Sequence, residues 1–188
     1  MPKVGMEPIR RNQLIGATIE VVADVGLHAT TISLISKQAG LSAGIISHYF
    51  GGKQGLIEAT MRYLLGELQI KQQFDTPLAR LEGIVDSNFS SVHRTRSATK
   101  TWLSLWAQSL HDSGLNRLQE VNKRRLQSNL RFSFCELLPK QEAYEIADMT
   151  AALIDGFWLR SALSDADETT FQNASTSIKR FIYQQLGH

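Results

Sequence analysis

Two helical segments of about two turns each, TISLISKQA and AGIISHYF, are joined by Gly40, Leu41 and Ser42 alone. A glycine turn of this kind sets two short helices nearly perpendicular and matches the helix-turn-helix pattern, in which a third helix completes a small core. Thr31 can cap the first by accepting a backbone N–H, Gly40 can close it in the left-handed conformation, and Ser42 can cap the second. The third helix is expected over residues 8 to 25, ending at Gly26, with Ile15, Ile19, Val22 and Ala23 inward. Ile32, Ile35, Ala39, Leu41, Ile46 and Phe50 would supply the rest of that core.

This assignment leaves Ser42, Ala43, Gly44, Ser47, His48 and Tyr49 facing outward, on a segment too short and too polar to be core. Small side chains permit close approach to base edges, while hydroxyl and backbone N–H groups can meet phosphate or base. Lys53, just past Gly51 and Gly52, would add its ammonium to the N-terminus of the next helix, an anion site suited to phosphate. Each feature has a plainer reading: a glycine turn can merely link two core helices, and a lone lysine is usually solvated. Their conjunction at the N-terminus favours a DNA-binding head.

Elsewhere no run sustains the period-two alternation of a half-buried strand, so the chain is expected to be all-α, with about nine helices. A fourth helix should start near Lys53 and continue to Phe74. Others are expected near 77 to 93, 97 to 111, 115 to 137, 140 to 164 and 168 to 186. Pro8, Pro77 and Pro139 stand where helices would begin, a position that tolerates the missing N–H. The last helix carries Phe171, Ala174, Ile178, Phe181, Ile182 and Leu186 as a single apolar stripe. By contrast AALIDGFWLRSAL is apolar on nearly every side, and a partner subunit is its natural cover.

Composition limits the alternatives. Lys and Arg total 20 against 18 Asp and Glu, so the net charge of +2 announces no nucleic-acid binder by bulk electrostatics. Any such role rests on local placement. Cys135 is the chain's one cysteine, which excludes an internal disulfide and a thiolate metal cluster; it is expected to be a buried, inert apolar group. No metal or cofactor is expected. Glu7, Arg10 and Arg11 interrupt the apolar run of the N-terminus, so neither a signal peptide nor a membrane span is expected, and the protein is read as soluble and cytoplasmic.

The run TISLISKQAGLSAGIISHYFGGKQGLIEA resembles the DNA-binding signature of the TetR family. The resemblance implies an all-helical homodimeric repressor, with a helix-turn-helix domain over residues 1–52 and a ligand-binding and dimerisation bundle over 53–188. It carries Thr31, Ser42, Ala43, Gly44, His48, Tyr49 and Lys53 over to DNA contact. Most TetR-type sequences have tyrosine where Ser47 stands, which leaves His48 and Tyr49 to take up that backbone contact. The segments MPKVGMEPIRRNQLIGAT, GIISHYF and AALIDGFWLRSAL resemble more narrowly the choline-responsive branch of that family, which controls glycine betaine synthesis.

Trp102, Trp106 and Trp158 all lie beyond the head, and Trp102 and Trp106 are four apart on one helical face. Phe89, Tyr144 and Phe157 sit on neighbouring expected helices. Ordinary aromatic core is one reading of these rings. The other is a cage for a quaternary ammonium, attracted to each ring face by roughly 0.5–2 kcal/mol, with the Asp155 carboxylate balancing its charge. The resemblance implies choline as that cation. Asp155 could equally pair with an arginine across a dimer interface. A TetR-type repressor sensing another hydrophobic or cationic molecule, a helical enzyme acting on a small amine, and a DNA-architectural protein are the rivals. GGKQG is no P-loop, because no strand precedes it and the Gly-Lys-Ser/Thr order is missing.

Overall fold

The computed structural model describes residues 6–70, 72–89, 95–164 and 168–187. Among them there are nine helices and no strand: α1 (Met6–Ala29), α2 (Ile32–Ala39), α3 (Ala43–Phe50), α4 (Lys53–Glu67), α5 (Pro77–Asn88), α6 (Arg96–Gln108), α7 (Ser113–Cys135), α8 (Lys140–Leu163) and α9 (Glu168–Gln185). The chain divides into two compact units. One holds α1 to α4, α6 and the first residues of α7; the other holds α5, the rest of α7, α8 and α9.

Local chemistry accounts for most helix ends. The Thr31 hydroxyl accepts from Leu34 N at 3.2 Å, and Thr76 and Thr95 cap α5 and α6 in the same way. Pro77 takes the first helical position after Thr76, where its lack of an N–H costs nothing. Gly40 and Gly51 close α2 and α3 at φ 63° and 71°, a region from which a Cβ is largely barred. Gly26, at φ 79°, interrupts α1 one turn before its end.

In the first unit Leu14, Ile15, Ala17 and Val21 of α1 pack with Ile35, Ala39, Ile46 and Leu56 as one core cluster, against which Ile32, Leu41 and Phe50 rest. The expected inner face of α1 was set too far toward the helix edge: Val22 is buried, but Ile19 and Ala23 are only half so. α6 is tied to α1 by three hydrogen bonds, from Ser97 to Glu20, from Lys100 to the Ala23 carbonyl and from Thr101 to the Ile19 carbonyl.

In the second unit α9 buries Phe171, Ala174, Ile178 and Ile182, with Lys179 and Ser175 both bonded to Asp86 of α5. α8 buries Ala143, Ile146, Ala147, Ile154 and Trp158 on one side. Its other side exposes Met149, Ala152, Gly156, Leu159 and Leu163, with open space beside Gly156.

α4 ends at Glu67 instead of continuing to Phe74, whose ring packs against Gly83 of α5. An added Cβ on Gly83 would lie 2.1 Å from that ring. Cys135 is exposed, because its neighbour Phe134 takes the core position at the end of α7.

Candidate nucleic-acid interface

α3 is held from behind and bare in front. Ile46 is its one fully buried side chain, while Ser42, Ala43, Gly44, Ser47 and His48 are exposed along the opposite side. Ser42 does not cap α3 with its side chain as expected. Its extended backbone (φ −73°, ψ 146°) presents only the carbonyl, which accepts from Ile45 N at 3.1 Å, so the hydroxyl stays free for an outside partner. Thr31 is exposed at the start of α2, its hydroxyl engaged in the cap.

Tyr49 departs from the outward set. It is half-buried, packs on the core cluster and stands 5.1 Å from the His48 ring, centroid to centroid. Tyr49 occupies position i+3 from Ile46, so on a helix it must share part of Ile46's inward face.

Residues that local pattern does not single out fix the orientation of α3. Arg11 of α1 donates to the Tyr49 carbonyl at 2.8 Å, stacks 4.5 Å from the Phe50 ring centroid and pairs with Glu7 at 3.4 Å. Gln13 donates to the Ala39 carbonyl at 2.7 Å, so α1 holds the C-terminal ends of both short helices. These bonds span 38 and 26 residues, and the available signal is a polar donor facing a helix end whose last carbonyls lack intrahelical donors.

Beyond α3 the backbone reverses through Gly51 and Gly52, the latter at φ 124°, and Lys53 opens α4 half-buried. The first turn of α4 presses on the end of α3: a Cβ on Gly55 would fall 1.9 Å from the Phe50 carbonyl oxygen. Gln54 donates to Asp112 at 2.8 Å, and Asp112 also accepts from Leu115 N at 2.9 Å, which caps α7. The exposed edge of α3, with a lysine at the N-terminus of α4, can accept a phosphate backbone and leave α3 free to enter a groove.

The residues expected to hold an effector are distributed over both units. Trp102 is buried and Trp106 half-buried on α6, in the same unit as the head. Trp158 and Phe89 are buried in the other unit. There Asp155 keeps solvent access at the residue level, yet burial around its carboxyl pushes the pKa up to about 6, with the Lys123 charge opposing. Tyr144 is exposed, and its ring already carries Arg131 at 4.7 Å and Lys140 at 5.7 Å. No group of three or more His, Cys, Asp or Glu side chains able to hold a metal occurs among the described residues. Nor is any helix among them long and apolar enough to cross a membrane.

Comparison with known proteins places this geometry in a family. Residues 14–60 match the model for bacterial regulatory proteins of the tetR family, and residues 77–187 match that for the C-terminal part of BetI-type transcriptional repressors. A regulator of Serratia proteamaculans named BetI is 51% identical over all of this chain and 98% of its own length. One of Pectobacterium atrosepticum with the same name is 50% identical over the full length of both. Among solved structures, a transcriptional regulator from Saccharomonospora viridis in complex with choline superposes with a TM-score of 0.77 at 18% identity, over 93% of this chain and 96% of its own. A regulator from Rhodococcus gives 0.75 at 19% identity, over 93% and 96%.

Proposed function

The chain belongs to the TetR family of DNA-binding transcriptional repressors, in its BetI-type branch, and from that premise we propose that it represses the genes of choline-to-glycine-betaine synthesis and releases them when choline binds. The observation that carries the DNA-binding reading is the exposed edge of α3, where five small or polar residues stand clear of the core that Ile46 enters. Choline as effector rests on the relatives named BetI and on the fold neighbour that holds choline. The protein is read as cytoplasmic, where operator DNA and choline are both met.

Two α3 helices must reach half-sites about 34–36 Å apart, or a multiple of that, so the working species is a homodimer. The face of α8 made by Met149, Ala152, Gly156, Leu159 and Leu163 suits the dimer contact. Its exposed apolar side chains lie at spacings of three and four, and Ala152 and Gly156 admit a close backbone approach. α9 lies beside α8 and completes the interface.

Thr31, Ser42, Ala43, Gly44, Ser47, His48, Tyr49 and Lys53 form the DNA-contacting set; within it Tyr49 acts with its exposed edge and Lys53 as a phosphate contact. Trp102, Trp106 and Trp158 are the candidate rings for the cation, with Phe89 a further one and Asp155 the candidate counter-charge; the Tyr144 ring, which already carries Arg131 and Lys140, drops out of that set. A ring face is the chemistry a quaternary ammonium requires, since such a cation has no N–H to donate. Choline can shift the operator equilibrium only by the difference in its affinity for the DNA-competent and released arrangements. Thr101 and Leu105 directly precede Trp102 and Trp106 on α6, and Thr101 is bonded to α1; a cation that draws on those rings therefore pulls on the helix that holds α3.

The test is a DNA-shift titration on the promoter beside the chain's own gene, with and without choline. Operator affinity should fall several-fold or more with saturating choline. Unchanged affinity would remove choline as inducer and leave a TetR-type repressor of another small molecule; failure to prefer any palindromic site would remove the repressor itself.

A further inference from the structure

Outside both proposed sites, α7 and the start of α8 enclose an open groove of about 550 Å3. That volume is within the range of small-molecule pockets, roughly 300–1,000 Å3. Arg124 and Arg131 are seven apart on α7 and so project from one face, about 10 Å apart along the axis. Both line the groove, with Gln127 and Ser128 between them and the rings of Phe132 and Tyr144 beside them.

The chemistry of this lining selects by charge. Each ring already carries a cation: Arg80 stands 4.7 Å over Phe132, and Arg131 stands 4.7 Å over Tyr144 with Lys140 at 5.7 Å. The faces that would attract a quaternary ammonium are therefore taken, and a further cation would meet like charge. Four cationic groups, Arg80, Arg124, Arg131 and Lys140, stand against two carboxylates, Glu136 and Asp148. Asp148 is committed to Arg131, accepting with both oxygens at 2.9 Å. That contact locks the Arg131 side chain in place but leaves its Nε, which is buried, without an acceptor. Arg124 is exposed and has no ion-pair or hydrogen-bond partner among the described residues. Two guanidinium groups thus retain unused donors over an aromatic floor, an arrangement matched to a carboxylate joined to a flat apolar body.

We propose that this α7 groove is a second ligand site, separate from the cation site, which binds a small organic carboxylate with an aromatic or otherwise flat apolar body. Arg124 supplies the unpaired charge, Arg131 adds directional donors, and the edges of the Phe132 and Tyr144 rings pack against the body of the ligand. The site does not depend on choline being the effector.

Cys135 reports on the groove, because it is the chain's one cysteine, is exposed and lines the cleft. Alkylation of the full-length protein by uncharged iodoacetamide is followed by mass spectrometry with salicylate, benzyl alcohol or choline present. Salicylate should slow alkylation several-fold and saturably, whereas benzyl alcohol and choline at the same concentration should leave the rate unchanged. Arg124→Ala, at an exposed and unpartnered position, should fold normally and lose most of the protection. No protection by salicylate, equal protection by benzyl alcohol or choline, or undiminished protection in Arg124→Ala would overturn the site. So would a thiol that never reacts in the native protein, since the groove would then be closed in the assembly.

Discussion

The Arg11 guanidinium lies 2.8 Å from the carbonyl oxygen of Tyr49, so α1 grips the recognition helix at its C-terminal end. That end carries the negative pole of the helix dipole, which favours a cation there. The stack on Phe50 holds the same guanidinium flat against α3. Arg11→Ala should leave the helical circular-dichroism signal intact and weaken operator binding by about tenfold, the loss of one charge-assisted hydrogen bond. Arg11→Lys, which keeps charge but not the planar stack, should fall between the two. Operator affinity equal to wild type in Arg11→Ala would show that α3 is oriented without it.

Gly55→Ala is expected to destabilise the head, although alanine is ordinarily the better helix former by about 0.5–1 kcal/mol. The new Cβ would lie 1.9 Å from the Phe50 carbonyl oxygen, a backbone atom that cannot swing aside. Overpacking of this kind costs about 1–3 kcal/mol, which outweighs the propensity gain. Urea unfolding measures the sign: a variant more stable than wild type would mean that α3 and α4 are less tightly apposed.

Lys53→Ala should reduce operator affinity about equally for all sequences and lower the slope of log affinity against log salt by about one unit, the signature of one phosphate contact. An unchanged slope would return Lys53 to the solvated lysines. Titrations at several salt concentrations supply the slope.

Thr101 is fully buried on α6 and its hydroxyl donates to the Ile19 carbonyl of α1 at 2.8 Å. Thr101→Val keeps the shape and removes the bond, at a cost of about 1 kcal/mol in stability. Choline should still bind this variant but release less of the operator. Full release would mean that the signal does not pass through this contact.

With its pKa raised to about 6 by burial, Asp155 is the group that should make effector binding pH-dependent. Only its ionised form attracts a cation, so choline affinity should be full well above pH 6 and decline as pH falls through it. For folding the sign is opposite: the raised pKa favours the folded state below the ordinary carboxylate value, and that contribution is lost as pH rises through about 6. Asp155→Asn should therefore flatten the choline profile and raise the thermal midpoint more at pH 7.5 than at pH 4. A pH profile identical to wild type would remove Asp155 from the cation site.

What the linear chain decided by itself is local. Thr31 and Thr76 cap because a hydroxyl three residues from a free N–H needs no distant partner. Gly40 and Gly51 end α2 and α3 because they alone tolerate positive φ there. The inward series Ile32, Ile35, Ala39 and Ile46 follows from helical period, and with it the exposed edge of α3. The tertiary structure decided whatever depends on groups far apart in the chain. Arg11 reaches Tyr49 and Thr101 reaches Ile19 across 38 and 82 residues. α4 stops at Glu67 while Phe74 finds Gly83, and Phe134 takes the core position that leaves Cys135 outside. Caps and periodicity depend on neighbours within about one helical turn. Which polar group meets a given helix end, and which of two adjacent side chains goes inward, depends on packing that exists only once the helices have assembled.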